Sequence, residues 1–402
     1  MRTELNELLK VSATMSYKYK LCFGMCLVTS LAAMAFHLTS TPLQDVCLWQ
    51  TSNLTTFTRR LSPLEVSLEY PLVLHRQTVN ITTEDYETRK RIVWMNVPLL
   101  YKTVKSFDHC YVRSCEISTN EAHISSADAV VVNGVNLPAS KHPNTNMNQV
   151  WILYGWESPL HYHSNTIFRS DWNGRFNWTL TYRLDSDIPF PYNRILYTGG
   201  TVNISDVLRR KSRSIAWFVS NCGTSSKREV YVKELQKYID VDIYGACRQN
   251  KSFDCPRERF FECLGLLNTT YRFYLSFENS LCKDYITEKF YNTFMTTAIP
   301  IVRGGANYTR LLPEGTFINT ASFDSPKSLA NYIKYLENNE TAMGDILIKK
   351  HKYEYINSQG TDFDWRCQLC AKLHGNITRT HYTDMKQWLR TGKCLVQPTD
   401  LP

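Results

Sequence analysis

The chain has 402 residues, 13 cysteines and a formal net charge of +9, from 46 Lys and Arg against 37 Asp and Glu. With 43% hydrophobic residues and only 16 Gly and 15 Pro it is neither disordered nor collagen-like, and it is long enough for about two to three ordinary domains. The basic excess fits nucleic acid, an anionic membrane, an anionic small substrate or a plain solvated surface, and alone does not choose among them.

Leu21 to Gln44 contains no Asp, Glu, Lys or Arg, and its apolar heart, Leu21 to Leu38, is 18 residues long. That is near the lower limit for a membrane-spanning helix. Arg2, Lys10, Lys18 and Lys20 precede it against Glu4 and Glu7, so the positive-inside rule puts the body in the lumen or outside. Ala33-Met34-Ala35 has the look of a signal-peptide cleavage site, but a 20-residue n-region with two acidic residues argues for a retained anchor. The expected order is therefore a cytosolic tail (1–20), a transmembrane signal-anchor (21–38) and a Ser/Thr-rich stem (39–62). A span this short and polar suits an early-secretory bilayer.

A lumenal body agrees with nine Asn-x-Ser/Thr sequons, at Asn53, Asn80, Asn177, Asn203, Asn250, Asn268, Asn307, Asn339 and Asn376. Eleven cysteines follow the span; most should pair there, and the odd count leaves at least one over. Cys110 and Cys115 are spaced for a small local loop. Cys367-x-x-Cys370 with Cys394 lacks a fourth ligand at zinc spacing, since His374 is only four residues on, so a disulfide-tied C-terminal segment (366–402) is expected.

Short apolar runs at 92–94, 129–132 and 150–153 predict buried strands, and a second series predicts strands at 215–219, 241–244, 273–277 and 299–302. Between them, helical spacing predicts helices over 227–238 and 285–297. Alternating strand and helix argues parallel sheets with crossover helices, hence two Rossmann-like domains facing a cleft, at roughly 65–205 and 212–365. Open α/β sheets bind ligands beyond the carboxyl ends of their strands. There the second series carries Glu278-Asn279-Ser280 and a helix start whose free N–H groups suit phosphate. Lys289, a cation in that first turn, points to an anionic ligand; pairing with Glu288 is the plainer alternative. No G-x-G-x-x-G motif or P-loop is present.

Phe273-Tyr274-Leu275-Ser276-Phe277-Glu278-Asn279-Ser280, Asp284-Tyr285-Ile286-Thr287-Glu288-Lys289 and Ala298-Ile299-Pro300-Ile301-Val302 resemble the signature of the α-1,3-fucosyltransferases. Upstream, Ser126 to Val130, Glu157-Ser158-Pro159 and Asn177 to Pro189 resemble acceptor-side blocks of that family, and Phe218 to Cys222, Arg228 and Val241 to Gly245 resemble the start of its donor domain. The cysteine-rich stretch Trp365 to Lys372 looks like invertebrate members. The resemblance implies a single-pass type II Golgi membrane enzyme of GT-B fold, with 65–205 binding acceptor and 212–365 binding GDP-fucose. It would move L-fucose from GDP-fucose to O3 of a GlcNAc in a glycan, with inversion.

By match to the motif, Arg228, Asn279, Tyr285, Glu288 and Lys289 belong to the donor site, and Arg228 and Lys289 would neutralise charge on departing GDP. Glu278 or Glu288 would meet donor hydroxyls or the charge growing on the fucose ring. Glu157 is the expected base for the acceptor hydroxyl. Asp185-Ser186-Asp187 has the Asp-x-Asp form that holds Mn²⁺ in metal-dependent transferases. It lies in the acceptor half, so it reads as structural or cleft-lining; no metal is obligatory, and Mn²⁺ would at most stimulate. Among Trp151, Trp156, Tyr162, Trp172 and Trp178, one or two would stack on acceptor sugar. The rival readings are a Golgi transferase for another sugar nucleotide and a non-catalytic membrane-tethered lectin; the compartment excludes nucleic acid.

Overall fold

The computed structural model describes residues 64–67, 69–76, 86–97, 106–137, 148–162, 167, 172–248, 254–256, 259–356, 363–375, 381–391 and 393–395. All lie in one compact unit, residues 63–402. The expected tail, span and stem, Cys47, and the sequons at Asn53, Asn80, Asn250 and Asn376 lie outside the described residues. Among the described residues no helix is long and apolar enough to cross a membrane.

The chain opens with β1 (Leu64–Val66) and β2 (Val73–Arg76). It then builds a sheet from β3 (Lys90–Met95), β4 (Cys115–Ser118), β5 (Ala129–Asn133), β6 (Val150–Gly155), β7 (Trp178–Thr181) and β8 (Ile188–Pro189). The order is β4-β3-β5-β6-β7-β8, parallel throughout. β5 and β6 are buried along their whole length, which is why they read as unbroken apolar runs rather than alternating ones.

After β9 (Arg194–Tyr197) and α1 (Ile204–Arg209) comes a second parallel sheet. Its parts in chain order are β10 (Arg213–Phe218), α2 (Arg228–Leu235), β11 (Val241–Tyr244), α3 (Phe260–Thr269) and β12 (Tyr271–Phe277). Next come β13 (Leu281–Cys282), α4 (Glu288–Tyr291), β14 (Ile299–Arg303), α5 (Tyr308–Leu311) and β15 (Ile318–Asn319). The sheet order is β11-β10-β12-β14-β15; β13 stands apart from it. One face packs on α1, α2 and the long helices α6 (Pro326–Glu337) and α7 (Glu340–His351) through Leu235, Leu329, Ile333 and Leu347; the other packs on α3 through Leu264 and Leu267.

All seven predicted strands are present. The helix expected over 227–238 runs Arg228–Leu235. The helix expected over 285–297 is a correction: only Glu288–Tyr291 is α-helical, followed by a 3₁₀ turn, Asn292–Met295. Asp284 takes a left-handed φ of 58° and Thr287 is extended, so no helix can start earlier. Beyond α4, the Thr293 hydroxyl donates to Lys289 O and the Thr296 hydroxyl to Thr293 O, competing for helix carbonyls. With one helical turn, the macrodipole argument for phosphate loses its force.

The chain does not end in the second half. β16 (Tyr353–Ile356) pairs antiparallel with β9, closing a small sheet of order β1-β2-β9-β16. Then α8 (Trp365–His374) and α9 (Met385–Leu389) return to cover the two faces of the first sheet, with Trp365, Leu369 and Leu373 on one and Met385 and Leu389 on the other. β17 (Cys394–Leu395) finally pairs with β13.

Among the described residues five disulfides fix this path: Cys110–Cys367, Cys115–Cys370, Cys222–Cys247, Cys255–Cys263 and Cys282–Cys394. The expected local link between Cys110 and Cys115 is therefore corrected, because both reach across to α8. His109 and His374 stand beside these bridges, but the sulfurs are already spent on each other.

Candidate active site

The second sheet's central strand β12 delivers Glu278, Asn279 and Ser280 at its carboxyl end, beside Arg228 at the start of α2. Arg228 is almost fully buried and donates from Nη1 to Phe277 O (2.7 Å) and from Nη2 to Asn221 O (3.1 Å). Its Nε and the Oδ1 of Asn279 are buried with no hydrogen-bond partner among the described residues. A buried cation with an unused N–H is costly unless something accepts from it. Burial pulls the Arg228 pKa below its ordinary value, without making it a plausible base.

Lys289 lies between two carboxylates, 2.9 Å from Glu288 Oε1 and 3.4 Å from Glu278 Oε2. Burial works against its charge, but Glu278 and Glu288 outweigh burial and raise its pKa, so it stays protonated. The plainer expectation of a Glu288 pair is thus half of the arrangement. Glu278 is wholly buried; its oxygens accept from Thr287 N and the Thr287 hydroxyl, both at 2.8 Å. Its carboxylate therefore anchors Thr287 and Lys289 rather than facing a sugar hydroxyl, whereas Glu288 is half exposed.

Glu157 arrives from the other half, two residues beyond β6. Its Oε1 accepts from Ser158 N (3.0 Å), from the Tyr285 hydroxyl, and from Asn279 Nδ2 (3.5 Å). The Ser158 hydroxyl donates to that of Ser280 (2.7 Å), and His161 Nε2 is 3.4 Å from Asn279 O. Gly155 is required on this path, because a Cβ there would run into the Tyr162 hydroxyl. Trp156 stacks between Phe190 and Tyr192, with ring centroids 5.2 and 4.4 Å away, and stays half-buried beside Glu157. Acid, cations and aromatic shelf thus come from both sheets to one junction.

Two family models cover most of this body: "Fucosyltransferase, N-terminal" matches residues 86–193 and "Glycosyltransferase family 10 (fucosyltransferase) C-term" matches residues 208–388. The chain belongs to the glycosyltransferase family 10 fucosyltransferases. It is similar to glycoprotein 3-alpha-L-fucosyltransferase A of Drosophila melanogaster, 38% identical over 296 residues, 71% of this chain and 56% of that protein's length. It is also similar to alpha-(1,3)-fucosyltransferase C of the same organism, 33% identical over 317 residues, 70% of each chain. The chain thus spans little more than half of the first relative. Its fold resembles the crystal structure of an alpha1,3-fucosyltransferase with GDP, with a TM-score of 0.50 and 16% identity over 75% of this chain and 94% of that one.

In this family 10 chain the junction brings together Glu157, Arg228, Asn279, Tyr285, Glu288 and Lys289, with Glu278 behind them. It does not include the Asp-Ser-Asp motif. Asp185 is gripped by Arg183 (2.6 Å) and Lys283 (2.9 Å); burial works against its charge, yet those cations hold its pKa down at about 2. Asp187 accepts from Thr179 N (2.8 Å) and the Tyr382 hydroxyl (2.7 Å). The two carboxylates serve different partners, so the motif is structural on its Asp187 side. On its Asp185 side it lines a cavity of about 360 Å³ with Leu184, Lys283, Asp284 and Arg310.

Of the aromatic candidates, Trp151, Tyr162, Trp172 and Trp178 are core; only Trp156 is half-buried. The sequence assigned no role to Tyr192, or to Thr287, Ser158 and Ser280 within their motifs; the Ser158–Ser280 bond joins segments far apart in the chain. Among the sequons, Asn203, Asn307 and Asn339 cap α1, α5 and α7, and Asn268 Oδ1 accepts from Thr297 N. Asn177 is a correction: it is buried and its Oδ1 accepts from Trp151 N (2.9 Å), so a glycan there is incompatible with the packed sheet.

Proposed function

We propose that this chain transfers L-fucose from GDP-fucose to O3 of a GlcNAc residue in a glycan, with inversion, as a two-domain GT-B enzyme. The observation that carries the reading is the meeting of Glu157 with Tyr285 and Asn279 beside Lys289 and the unpartnered Nε of Arg228. Glu157 takes the proton of the acceptor hydroxyl as that oxygen bonds to the fucose anomeric carbon. The bond from that carbon to the β-phosphate oxygen breaks, and its electron pair leaves with GDP. Arg228 and Lys289 meet the charge that develops on the diphosphate. Glu288, half exposed, reaches donor hydroxyls.

The names of the Drosophila relatives support L-fucose as the transferred sugar and the 1,3 linkage. Paired cations give the diphosphate counter-charge without a metal. The apolar stretch 21–38, its basic flank and the disulfides support a Golgi type II membrane protein with a lumenal body. The test incubates the purified full chain with GDP-fucose and a glycan array and assigns product linkage by NMR. An α-1,3 product is expected; turnover of a different sugar nucleotide, or glycan binding without GDP release, would refute the reading.

A further inference from the structure

The last described stretches, residues 381–391 and 393–395, touch both halves of the site. At one end Met385 and Leu389 are buried in the first sheet's core. The Trp388 ring lies 4.0 Å from the Arg183 guanidinium, which also donates to Trp388 O (2.5 Å). Arg390 donates from Nε and Nη2 to Pro159 O at 3.3 and 2.9 Å, two residues beyond Glu157. At the other end β17 pairs with β13, Lys283 N donates to Lys393 O (2.7 Å), and Cys394 is bonded to Cys282. Cys282 is fully buried and lies three residues from both Asn279 and Tyr285. Lys283 and Lys393 both face Asp185 from the first half, at 2.9 and 4.0 Å.

One short segment is therefore seated in the acceptor half, hydrogen-bonded to the loop that carries Glu157, and covalently bonded to the loop that carries the donor residues. We propose that residues 385–391 and 393–395 form a clasp that holds the donor loop 278–287 in register with the Glu157 loop. Cys282, Cys394 and Arg390 act in it as positioning residues; the catalytic consequence rests on the function proposed above. The logic is preorganisation. A donor loop held in its working position before the ligand arrives loses less conformational freedom on binding. Without the covalent end, the two-residue pairing of β13 and β17 is too short to hold by itself. The other disulfides cannot substitute. Cys222–Cys247 and Cys255–Cys263 join residues within the second half, and Cys110–Cys367 and Cys115–Cys370 fasten α8 to the first.

The test uses the full chain and a double variant, Cys282→Ala with Cys394→Ala. A Cys255→Ala, Cys263→Ala control removes a bridge from the second half without touching the clasp. Hydrogen exchange on the ligand-free proteins, well below their unfolding temperatures, should show amides of 278–287 exchanging at least tenfold faster in the clasp variant alone. GDP affinity by calorimetry should fall about tenfold, and KM for GDP-fucose should rise with kcat within about threefold of wild type. Unchanged exchange over 278–287, or a fall in kcat at constant KM, overturns the clasp. If the wild-type chain does not bind GDP, the functional reading fails while the exchange result still decides the clasp. Should the double variant not fold, Arg390→Met decides. It keeps the disulfide, and faster exchange at 157–161 supports the clasp, whereas unchanged exchange there overturns it.

Discussion

The Tyr285 hydroxyl donates to the Glu157 carboxylate across the boundary between the two halves. The donor is held by burial in the cluster of Tyr182 and Cys282, and the acceptor sits at the end of a strand in the opposite sheet. This contact sets one carboxylate oxygen among three donors: Tyr285 Oη, Ser158 N and Asn279 Nδ2. A carboxylate held that way is aimed before any substrate arrives.

Replacing Glu157 by Gln keeps the shape and removes the proton acceptor. The expected loss in kcat is about 10²- to 10⁴-fold, the usual worth of a general base, with GDP affinity within about threefold of wild type. Tyr285→Phe should lower kcat by about tenfold or more, since a hydrogen bond to a charged group is worth about 1.5–3 kcal/mol. Steady-state kinetics with calorimetric GDP titration checks both. If Glu157→Gln retains wild-type kcat, the base is another group.

Glu278 presents the opposite case, a carboxylate that works from behind. It has no exposed surface, burial pushes its pKa up, and Thr287 and Lys289 surround it. Glu278→Gln leaves Lys289 with the half-exposed Glu288 as its remaining carboxylate partner here. Removing one member of a buried pair costs about 3–5 kcal/mol. The variant should therefore melt several degrees lower and bind GDP more weakly, by calorimetry and thermal scanning. Glu278→Asp, which keeps the charge, should recover part of the binding.

What the sequence disclosed follows from what burial does to a pattern. β5 and β6 are buried along their whole length, so each appears as an unbroken apolar run. The placing of Glu278-Asn279-Ser280 at the carboxyl end of β12 was legible from the strand pattern. Other features were not, and each depends on distance along the chain. Nothing local in Trp365–His374 says that the helix returns to a sheet begun at Lys90, or that Cys367 seeks Cys110. The six residues expected to extend α4, 292–297, continue a helical apolar spacing, but Thr293 and Thr296 turn their hydroxyls onto the backbone and tighten it to 3₁₀. Glu278 looked like a donor contact because the motif places it next to Asn279, whereas successive residues leaving a strand point to opposite sides. Asn177 satisfies a sequon and is nonetheless a sheet residue, since a tripeptide carries no information about burial.

Two buried lysines at the back of the second sheet predict an alkaline gain in stability. Lys211 donates to Leu267 O and Lys350 to Thr296 O. Burial pulls each pKa down to about 7; Arg210 and Arg272 push Lys211 further the same way, and Lys211 does so for Lys350. An unfolded lysine titrates near 10.4, so between pH 7 and 10 the unfolded chain holds more protons than the folded one. Stability contributed by these groups then rises with pH through that window, and the cost of burying them charged is fully present below pH 7. Guanidinium unfolding of the wild type should give a higher midpoint at pH 9 than at pH 7. Lys350→Met should flatten that slope and raise the pH 7 midpoint. A wild-type midpoint that falls from pH 7 to pH 9 would contradict this assignment.

The two bridges to α8 should be worth more together than the sum of their separate removals. Cys110–Cys367 and Cys115–Cys370 span 257 and 255 residues, so whichever forms first closes a loop of most of the described body. Once one is closed, the other completes a ring of only about ten residues, because Cys110 and Cys115, and Cys367 and Cys370, are near neighbours. In the chain-entropy account, closing the small ring contributes about 3 kcal/mol and closing the long one about 5–6 kcal/mol. Either single pair replaced by Ala therefore costs about 3 kcal/mol, since the surviving bridge still closes the long loop. Replacing all four cysteines costs about 8 kcal/mol, beyond the sum of the singles. Equilibrium unfolding of the two double and one quadruple variants measures the difference. Simple additivity would mean that the bridges act by packing α8 on the sheet rather than by restricting the unfolded chain.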